Sequence, residues 1–220
     1  EEGCFLMMCW IAMNGILPVN VKMGSKVGIF GLGNLGLILS LLYKAANCEV
    51  YAIDPVSSRG ERARKMGIDH VIDAPIHAQK QAIQEATNHH GFDIVIDASG
   101  VSGCIASCID SAADFAQVVL LGSPRVAHEM DVTPVFNQIH MKMLQVIGAM
   151  NRRYPFFPET GSNESMIKYL AVLEKMLNDK VIDVSHFVSH RIKPEEMLSA
   201  YDGLMNDKEH YLGVMIDWQS

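Results

Sequence analysis

The sequence predicts an α/β fold built on a doubly wound, six-stranded parallel sheet, followed by a smaller C-terminal part. Short β-rich runs alternate with helical stretches up to residue 148, which is typical of parallel strands joined by crossover helices. The runs VGIF and QVVLL are almost continuously apolar, as expected of strands buried on both faces. A turn with three closely spaced glycines directly follows the first of these runs.

The elements of the sheet follow in order along the chain. Strands are expected where apolar and β-branched residues run together, at 27–30, 49–53, 70–72, 92–97, 116–121 and 144–148. Helices are expected between them, at 35–46, 58–66, 78–89, 101–112 and 135–141. Six strands with intervening helices suit a doubly wound sheet.

The composition of the sequence changes after Asn151. RRYPFFPETGSNES contains two prolines, a glycine and several polar residues, which is typical of a loop. The elements expected beyond it are a helix at 165–178, a strand at 186–192, a helix at 194–205 and a strand at 212–217. The chain therefore divides into a first domain at 1–160 and a C-terminal segment at 161–220.

Composition limits the class of protein. The 220 residues are 49% hydrophobic and 20% charged, enough to bury a sizeable core. The formal net charge is −7, without a long run of Lys or Arg, which argues against a nucleic-acid partner. The apolar stretch 5–13 is about half of the roughly 20 residues that a membrane span requires. Five cysteines, an odd number, and no export signal predict a reducing, cytoplasmic location.

The three glycines of the turn each have a separate expected task. Gly31 permits a tight turn, and Gly33 removes a side chain so that the backbone can approach a pyrophosphate. Gly36 lets the following helix pack closely against the strand. The helix N-terminus offers unpaired N–H groups and a partial positive charge to phosphates. The spacing therefore predicts a dinucleotide-binding turn.

Asp54 strengthens that prediction. It ends the second strand, 18 residues beyond Gly36, close to the expected distance of about 20 residues. A carboxylate there can accept hydrogen bonds from an adenosine ribose and repels a 2′-phosphate, which favours NAD over NADP. Three arginines follow Asp54, namely Arg59, Arg62 and Arg64. Because their positive charge could bind a 2′-phosphate, a site that also accepts NADP remains an alternative.

These features, together with further segments, resemble the medium-chain dehydrogenase/reductase superfamily, in its zinc-type alcohol and polyol dehydrogenase branch. The likeness runs through VKMGSKVGIFGLGNLG, KAANCEVYAIDPVSSRGERARKMGIDHVID, DIVIDASG, VVLLGSP and the C-terminal HRIKPEEMLSAYDGLMNDKEHYLGVMIDW. It implies a Rossmann fold, a nicotinamide dinucleotide cofactor and hydride transfer to or from an alcohol carbon. The segment 161–220 resembles the part of the chain that returns to complete the family's catalytic domain.

The resemblance also implies site residues. Gly31, Gly33, Asn34, Leu35 and Gly36 would lie under the pyrophosphate, Asp54 would hold the adenosine ribose, and Arg59 would lie along the adenine. The residues implied on the nicotinamide side, at three strand ends, are Ala98, Ser99, Gly100, Leu121, Gly122, Ser123, Ala149, Met150 and Asn151. His70 is interpreted as a packing residue of the third strand.

Part of the family's catalytic apparatus has no counterpart in this sequence. The domain that would carry the zinc ligands precedes the cofactor domain in the family, so zinc is expected only in a longer parent protein. The positions where a zinc ligand often stands before the glycine turn hold Leu6 and Met7, and neither residue binds zinc. Cys4 and Cys9 lie out of register nearby. Gly213 stands where the family often has a cation that reaches the pyrophosphate, which predicts weaker cofactor affinity.

The remaining chemistry-bearing residues carry no predicted role in catalysis or metal binding. Cys104 and Cys108 are interpreted as helix and core residues, and His186, His190 and His210 as surface residues.

Three functions remain open. The chain is the cofactor-binding part of an NAD-dependent dehydrogenase and is inactive alone, or a non-catalytic NAD(H)-binding module or redox sensor, or part of a zinc-independent reductase of the same superfamily. In each case we expect a homodimer, paired through the edge strand from Leu144 to Gly148.

Overall fold

The computed structural model describes residues 1–125 and 127–219, and its centre is one six-stranded, all-parallel sheet. The strands are β1 (Lys26–Phe30), β2 (Glu49–Ile53), β3 (His70–Ile72), β4 (Phe92–Asp97), β5 (Ala112–Leu120) and β6 (Gln145–Gly148). Their spatial order is β3-β2-β1-β4-β5-β6. The predicted doubly wound sheet is confirmed, and for β2, β3 and β4 the predicted bounds match residue for residue.

Helices cover both faces of the sheet, so each face buries its own apolar cluster. They are α1 (Glu2–Met13), α2 (Asn34–Ala45), α3 (Ser57–Lys65), α4 (Ile76–Ala86), α5 (Ser102–Ser111), α6 (Thr133–Met141), α7 (Met166–Asn178) and α8 (Met197–Asn206). One face packs mainly against α1, α2 and α7, and the other against α4, α5 and α6. Helix α2 is buried from Gly36 to Tyr43, because it lies between the sheet and α1.

The predicted bounds differ from the observed ones most clearly in two regions. Strand β5 begins four residues earlier than predicted, directly after α5, and includes Phe115 in a left-handed conformation (φ 63°). Its pairing with β4 shifts register between Phe92 and Ile94, and such irregularities leave little trace in a hydrophobic pattern. The second region is the strand predicted at 186–192.

That second region begins with a turn instead of a strand. A 3₁₀ helix spans Val184–His186, because the side chain of Asp183 accepts a hydrogen bond from the Ser185 N–H. Strand β7 is only His190–Ile192, and it pairs in parallel with β8 (Val214–Ile216). The helix predicted at 194–205 is a 3₁₀ turn, Pro194–Glu196, that continues into α8.

The C-terminal segment shares the core of the sheet. Phe187 is buried, and its ring centroid lies 5.7 Å from that of Phe5 in α1. Trp10 of α1 stacks on Tyr169 of α7 at 6.1 Å between ring centroids. The same apolar cluster therefore includes residues from both sides of residue 160. The division of the chain at this residue stays a prediction. Val126 of the first segment and Ser220 of the second lie outside the described residues.

Candidate dinucleotide-binding site

The site lies where the strand order of the sheet reverses. Chain order runs outward from β1 to β3 on one side and from β4 to β6 on the other. Strands β1 and β4 are parallel neighbours, with Phe30 paired to Asp97 at their carboxyl ends. In open α/β sheets, ligands bind in the crevice outside the carboxyl ends at this position.

The glycine turn after β1 has the geometry that its spacing predicts. Gly31 has φ 95°, and a Cβ there would lie 2.8 Å from the Ser99 Cα. A Cβ on Gly36 would lie 1.9 Å from the Gly31 carbonyl oxygen, so α2 packs directly on the turn. Gly33 is different, because a Cβ there would meet nothing within 4 Å. One glycine therefore faces open space, and the other two are fixed by close backbone contacts.

The open glycine is also the start of α2. Gly33 is the residue before Asn34 at the N-terminal cap, and no side chain caps the helix there. The first N–H groups of a helix have no partner within it. The turn therefore presents backbone donors beside an uncrowded glycine, which is the arrangement that binds phosphate in dinucleotide folds.

Asn34 in the turn reaches the C-terminal segment. Its Nδ2 donates to the Leu212 carbonyl oxygen at 3.4 Å, and its Oδ1 is buried without a partner among the described residues. A Cβ on Gly213 would lie 2.3 Å from the Phe187 carbonyl oxygen and 3.0 Å from Asn34 Nδ2. The glycine that stands in place of the family's cation is therefore required by packing.

Asp54 joins the ends of β1 and β2. It is 4% exposed. One carboxylate oxygen accepts the Leu32 N–H at 2.7 Å, and the other accepts the Val56 N–H at 2.9 Å. Arg59 Nη1 lies 3.4 Å from the first oxygen, while its buried Nε has no partner among the described residues. Because a carboxylate has about four acceptor positions, capacity remains for a further donor.

Asp97 ends β4 and is a second buried carboxylate at the crevice. It is fully buried, and its Oδ1 accepts the Ser99 N–H at 2.9 Å and the Ser99 hydroxyl at 2.6 Å. Its Oδ2 has no partner among the described residues. Sequence reasoning assigned no role to Asp97. The available signal was an acidic residue that ends an otherwise apolar strand, in DIVIDASG.

The loops after β4 and β5 pack tightly against each other. Gly100 has φ 65°, and a Cβ there would lie 2.6 Å from the Ser123 carbonyl oxygen. A Cβ on Gly122 would lie 2.3 Å from the Gly100 nitrogen. The N–H groups of Leu121 and Gly122 both donate to the Asp97 carbonyl oxygen, at 3.0 and 2.8 Å. The two loops therefore form one compact wall of the crevice.

The predicted site residues after the sixth strand lie at the same edge of the sheet. The Ala149 N–H donates to the Leu120 carbonyl oxygen at 3.0 Å, which continues the pairing of β5 and β6. Met150 is exposed and Asn151 is half-buried. The structure thus brings the predicted residues to the carboxyl ends of β1, β2, β4, β5 and β6. Buried Leu121 offers only its backbone to this edge.

Two cysteines lie on α5, beside the Asp97 loop. Cys108 is fully buried, and burial raises the pKa of its thiol well above the ordinary value. Cys104 is half-buried in the first turn of α5. Hydrogen bonds with Cys108 and with Ser99 lower the pKa of the Cys104 thiol despite its burial. The prediction that both are core residues holds fully only for Cys108.

The described residues do not fit a zinc site. Within 1–125 and 127–219, no group of three or more His, Cys, Asp or Glu could hold a metal ion. Met7 is exposed and Cys4 is exposed on α1, whereas burial raises the pKa of the Cys9 thiol to about 12. Leu6 is half-buried against the core.

Each of the three histidines interpreted as surface residues has a partner in the C-terminal segment or on α3. His210 is exposed and pairs with Asp207 at 2.8 Å. His190 is half-buried and stacks on Tyr211 at 3.9 Å between ring centroids. His186 is half-buried, and its carbonyl oxygen accepts from Arg62 at 2.7 Å.

His70 packs on the sheet while its side chain stays partly exposed. It stacks on Tyr51 at 4.4 Å between ring centroids, and its Nε2 lies 3.3 Å from the Glu49 Oε1.

Fold and site together define a doubly wound α/β protein of the Rossmann type, with a glycine turn where the strand order reverses. Residues 34–173, more than half of the chain, match the family model described as "Zinc-binding dehydrogenase". The chain belongs to that family. This result confirms the resemblance to zinc-type dehydrogenases drawn from the sequence.

Similar proteins agree with this assignment. L-threonine 3-dehydrogenase of Rhizobium etli (strain CIAT 652) is 25% identical over 89% of this chain and 51% of its own length. A short chain alcohol dehydrogenase from E. coli CFT073, solved in complex with NADH, aligns with TM-score 0.76 at 18% identity, over 97% of this chain and 58% of its own. A chain from Sinorhizobium meliloti 1021, bound to NADP, aligns with TM-score 0.75 at 19% identity, over 98% and 58%. The chain spans about half the length of the curated relatives it matches.

No helix of the described residues has the length and apolarity needed to cross a membrane.

Proposed function

We propose that this chain is the NAD(H)-binding part of a zinc-type alcohol or polyol dehydrogenase, and that alone it binds the cofactor without turnover. One observation carries the proposal: Gly33 faces open space at the start of α2, while Gly31 and Gly36 are in close backbone contact. Packing does not require a glycine at this position, because a Cβ on Gly33 would meet no protein atom within 4 Å. A pyrophosphate approaching the backbone gives a reason for the glycine.

The first half of the crevice is proposed to hold the adenosine side. Asp54 retains acceptor capacity beside the glycine turn, as a ribose diol requires. A 2′-phosphate would bring negative charge next to this carboxylate, so NAD is favoured over NADP. Arg59, whose Nη1 already faces Asp54, is proposed to lie along the adenine.

The loops after β4, β5 and β6 are proposed to hold the nicotinamide side. The residues concerned are Ala98, Ser99, Gly100, Leu121, Gly122, Ser123, Ala149, Met150 and Asn151. When the cofactor is bound, it supplies the hydride chemistry, and the protein supplies position and surroundings. The residues of this chain would hold the dinucleotide and exclude side chains from its path.

A second candidate is a non-catalytic NAD(H)-binding module. The observation that favours it is the lack of a metal-ligand group among residues 1–125 and 127–219. Both proposals, the cofactor-binding part without turnover and the non-catalytic module, are tested by a turnover assay with a panel of alcohols and polyols. Robust activity of the 220 residues alone would contradict both proposals.

Calorimetric titration with NAD and with NADP tests the binding proposal. We expect measurable NAD affinity, weaker NADP affinity, and loss of NAD binding in Gly33→Ala with only a small change in melting temperature. The added methyl group meets no protein atom, so the cost is limited to a poorer helix cap. Gly3→Ala, which also adds a methyl group in open space but on α1, is the matched control and should keep NAD binding. If the wild type binds neither nucleotide, the proposal is wrong.

The preference for NAD is tested at Asp54. Asp54→Asn keeps one acceptor oxygen while it removes the charge that would repel a 2′-phosphate. The ratio of NADP to NAD affinity should therefore rise in this variant. An unchanged ratio would remove Asp54 from its proposed role.

Association and location complete the proposal. Among residues 1–125 and 127–219, strand β6 pairs only with β5, and it carries exposed Val146 at the sheet edge. An open apolar edge invites pairing with a second copy. We propose a homodimer through this edge. A cytoplasmic location is proposed because all five cysteines are free thiols.

A further inference from the structure

The second buried carboxylate of the crevice, Asp97, has bonds that suggest a role beyond stabilising the fold. A buried carboxylate is costly unless it is fully hydrogen-bonded. Asp97 is fully buried, yet its Oδ2 has no partner among the described residues, and all its side-chain bonds in this structure go to one residue, Ser99. An apolar residue at this position would avoid the cost of the unpaired oxygen. The carboxylate of Asp97 instead holds Ser99 in position through two hydrogen bonds.

The hydrogen bonds of Asp97 link three segments. Its Oδ1 holds both the N–H and the hydroxyl of Ser99, and the Ser99 Oγ in turn accepts the Val101 N–H at 3.1 Å, at the cap of α5. Its carbonyl oxygen accepts two N–H groups from the loop after β5. Residue 97 therefore sets the loop after β4 relative to both its following helix and the neighbouring loop.

The loop after β4 cannot move far, because it is in close contact on both sides. On one side, the Ser99 backbone leaves no room for a Cβ on Gly31 of the glycine turn. On the other side, Gly100 is in a left-handed conformation against Ser123. A small displacement of Ser99 would therefore narrow the crevice or separate its two walls.

We propose that Asp97 is a positioning residue, which fixes Ser99 and Gly100 so that the second half of the crevice accepts the nicotinamide mononucleotide half of the cofactor. This inference rests on the proposed NAD(H) binding. In doubly wound folds each half of the sheet takes one mononucleotide. Asp54 belongs to the half formed by β1, β2 and β3, whereas Asp97 ends β4, the first strand of the other half. Asp97 therefore affects binding of NAD and leaves binding of adenosine monophosphate unchanged.

The test is titration of the wild type and its variants with NAD and, separately, with AMP. Asp97→Leu removes the acceptor at similar volume, and we expect NAD affinity to fall about tenfold or more, as for loss of a hydrogen bond to a charged group. AMP affinity should stay within about twofold of the wild-type value, because Asp97 ends β4, outside the half of the sheet proposed to hold the adenosine side. Asp97→Asn keeps an oxygen for Ser99 and should restore NAD affinity to near the wild-type value. A purely structural role would not give this split between the two ligands.

Two further variants make the test robust. Asp93→Leu is the matched control, because its Oδ2 accepts the Lys26 N–H at 2.8 Å at the amino end of the same strand; it should leave both affinities unchanged. Ser99→Ala removes only the hydroxyl bond and serves if Asp97→Leu does not fold. It should give a smaller loss of NAD affinity, again without loss of AMP.

A measurement without ligand separates this inference from the proposed function. Amide hydrogen exchange at Ser99 and Val101 should become faster in Asp97→Leu and not in Asp93→Leu. If exchange is unchanged, or if NAD and AMP affinities fall together, the positioning role is wrong even though the wild type binds NAD. If exchange responds as expected but the wild type binds neither ligand, the NAD(H) proposal fails, and with it the role toward nicotinamide.

Discussion

The glycines of the turn differ in what surrounds them, although the sequence spacing treats them alike. A Cβ on Gly36 would overlap the Gly31 carbonyl oxygen, whereas a Cβ on Gly33 would contact nothing. Residue-level effects at this site are therefore of two kinds. Substitutions of Gly31 or Gly36 should change folding, because both are in close backbone contact. Substitution of Gly33 should mainly change ligand binding.

Gly36→Ala should lower both stability and NAD affinity. The added methyl group would lie 1.9 Å from backbone that cannot rotate away, and forced overpacking costs roughly 1–3 kcal/mol. Thermal unfolding followed by circular dichroism measures the stability, with Gly33→Ala as the comparison, because there the added methyl group meets no protein atom and only the helix cap changes. Equal melting temperatures for the two variants would contradict the packing role of Gly36.

Cys104 should be the thiol that reports on the crevice. Its pKa is lowered by hydrogen bonds with Cys108 and Ser99, so its thiolate forms at lower pH than an ordinary thiol and reacts earlier as pH rises. We expect iodoacetamide to label Cys104 faster than the buried Cys9 and Cys108, as measured by peptide mass spectrometry. NAD should slow labelling at Cys104 and leave labelling at exposed Cys4 unchanged. Equal slowing at both cysteines would point to a general change in the chain.

Among the elements, α5 depends on a lysine from the turn after α6. Lys142 Nζ donates to the carbonyl oxygens of Ile109 at 3.3 Å, Asp110 at 2.9 Å and Ala112 at 2.9 Å. Carbonyl groups at the end of a helix lack partners and carry partial negative charge. The lysine therefore stabilises the end of α5 just where β5 begins without an intervening loop.

Lys142→Met should lower the free energy of unfolding by roughly 1–3 kcal/mol, since the methylene stem remains and the charged donor is lost. Lys80→Met is the control, because Lys80 forms an exposed ion pair with Asp110 at 2.9 Å, and such pairs contribute about 0–1 kcal/mol. Urea unfolding measures both. A loss no larger than that of Lys80→Met would mean that the burial of Lys142 offsets its hydrogen bonds.

The edge strand β6 gives the second prediction at the element scale. Val146→Lys places a charge on the edge proposed for pairing, and natural edge strands use lysine to prevent such association. Light scattering at micromolar concentration should change from dimer to monomer. Lys26→Val, at the inner strand β1, would not alter the mass. A wild-type monomer would contradict the dimer directly.

Elements with a strong local pattern were predictable from the sequence, and those that depend on distant contacts were not. The bounds of β2 and β4 match because each is an apolar run with a clear end. The early start of β5 and the 3₁₀ helix at Val184–His186 depend on a backbone irregularity and on one side-chain bond. In the site, the spacing predicted Asp54, whereas Asp97 shows in the sequence only as an acidic residue that ends an apolar strand. Its role followed from its burial and its bonds to Ser99, which the sequence does not contain.

In the whole molecule, the two predicted segments share one apolar cluster, so they should unfold together. Phe187, from the C-terminal segment, is fully buried and packs against α1. Phe187→Ala leaves a cavity in that shared cluster, and Phe→Ala changes in cores cost about 3–5 kcal/mol. Trp10 is buried between the segments and Trp218 is exposed, so the change in fluorescence on unfolding reports mainly the shared core. Fluorescence and circular dichroism should give one coincident transition, shifted to lower denaturant in Phe187→Ala. Two separate transitions would instead support 1–160 as a domain that folds independently of the rest.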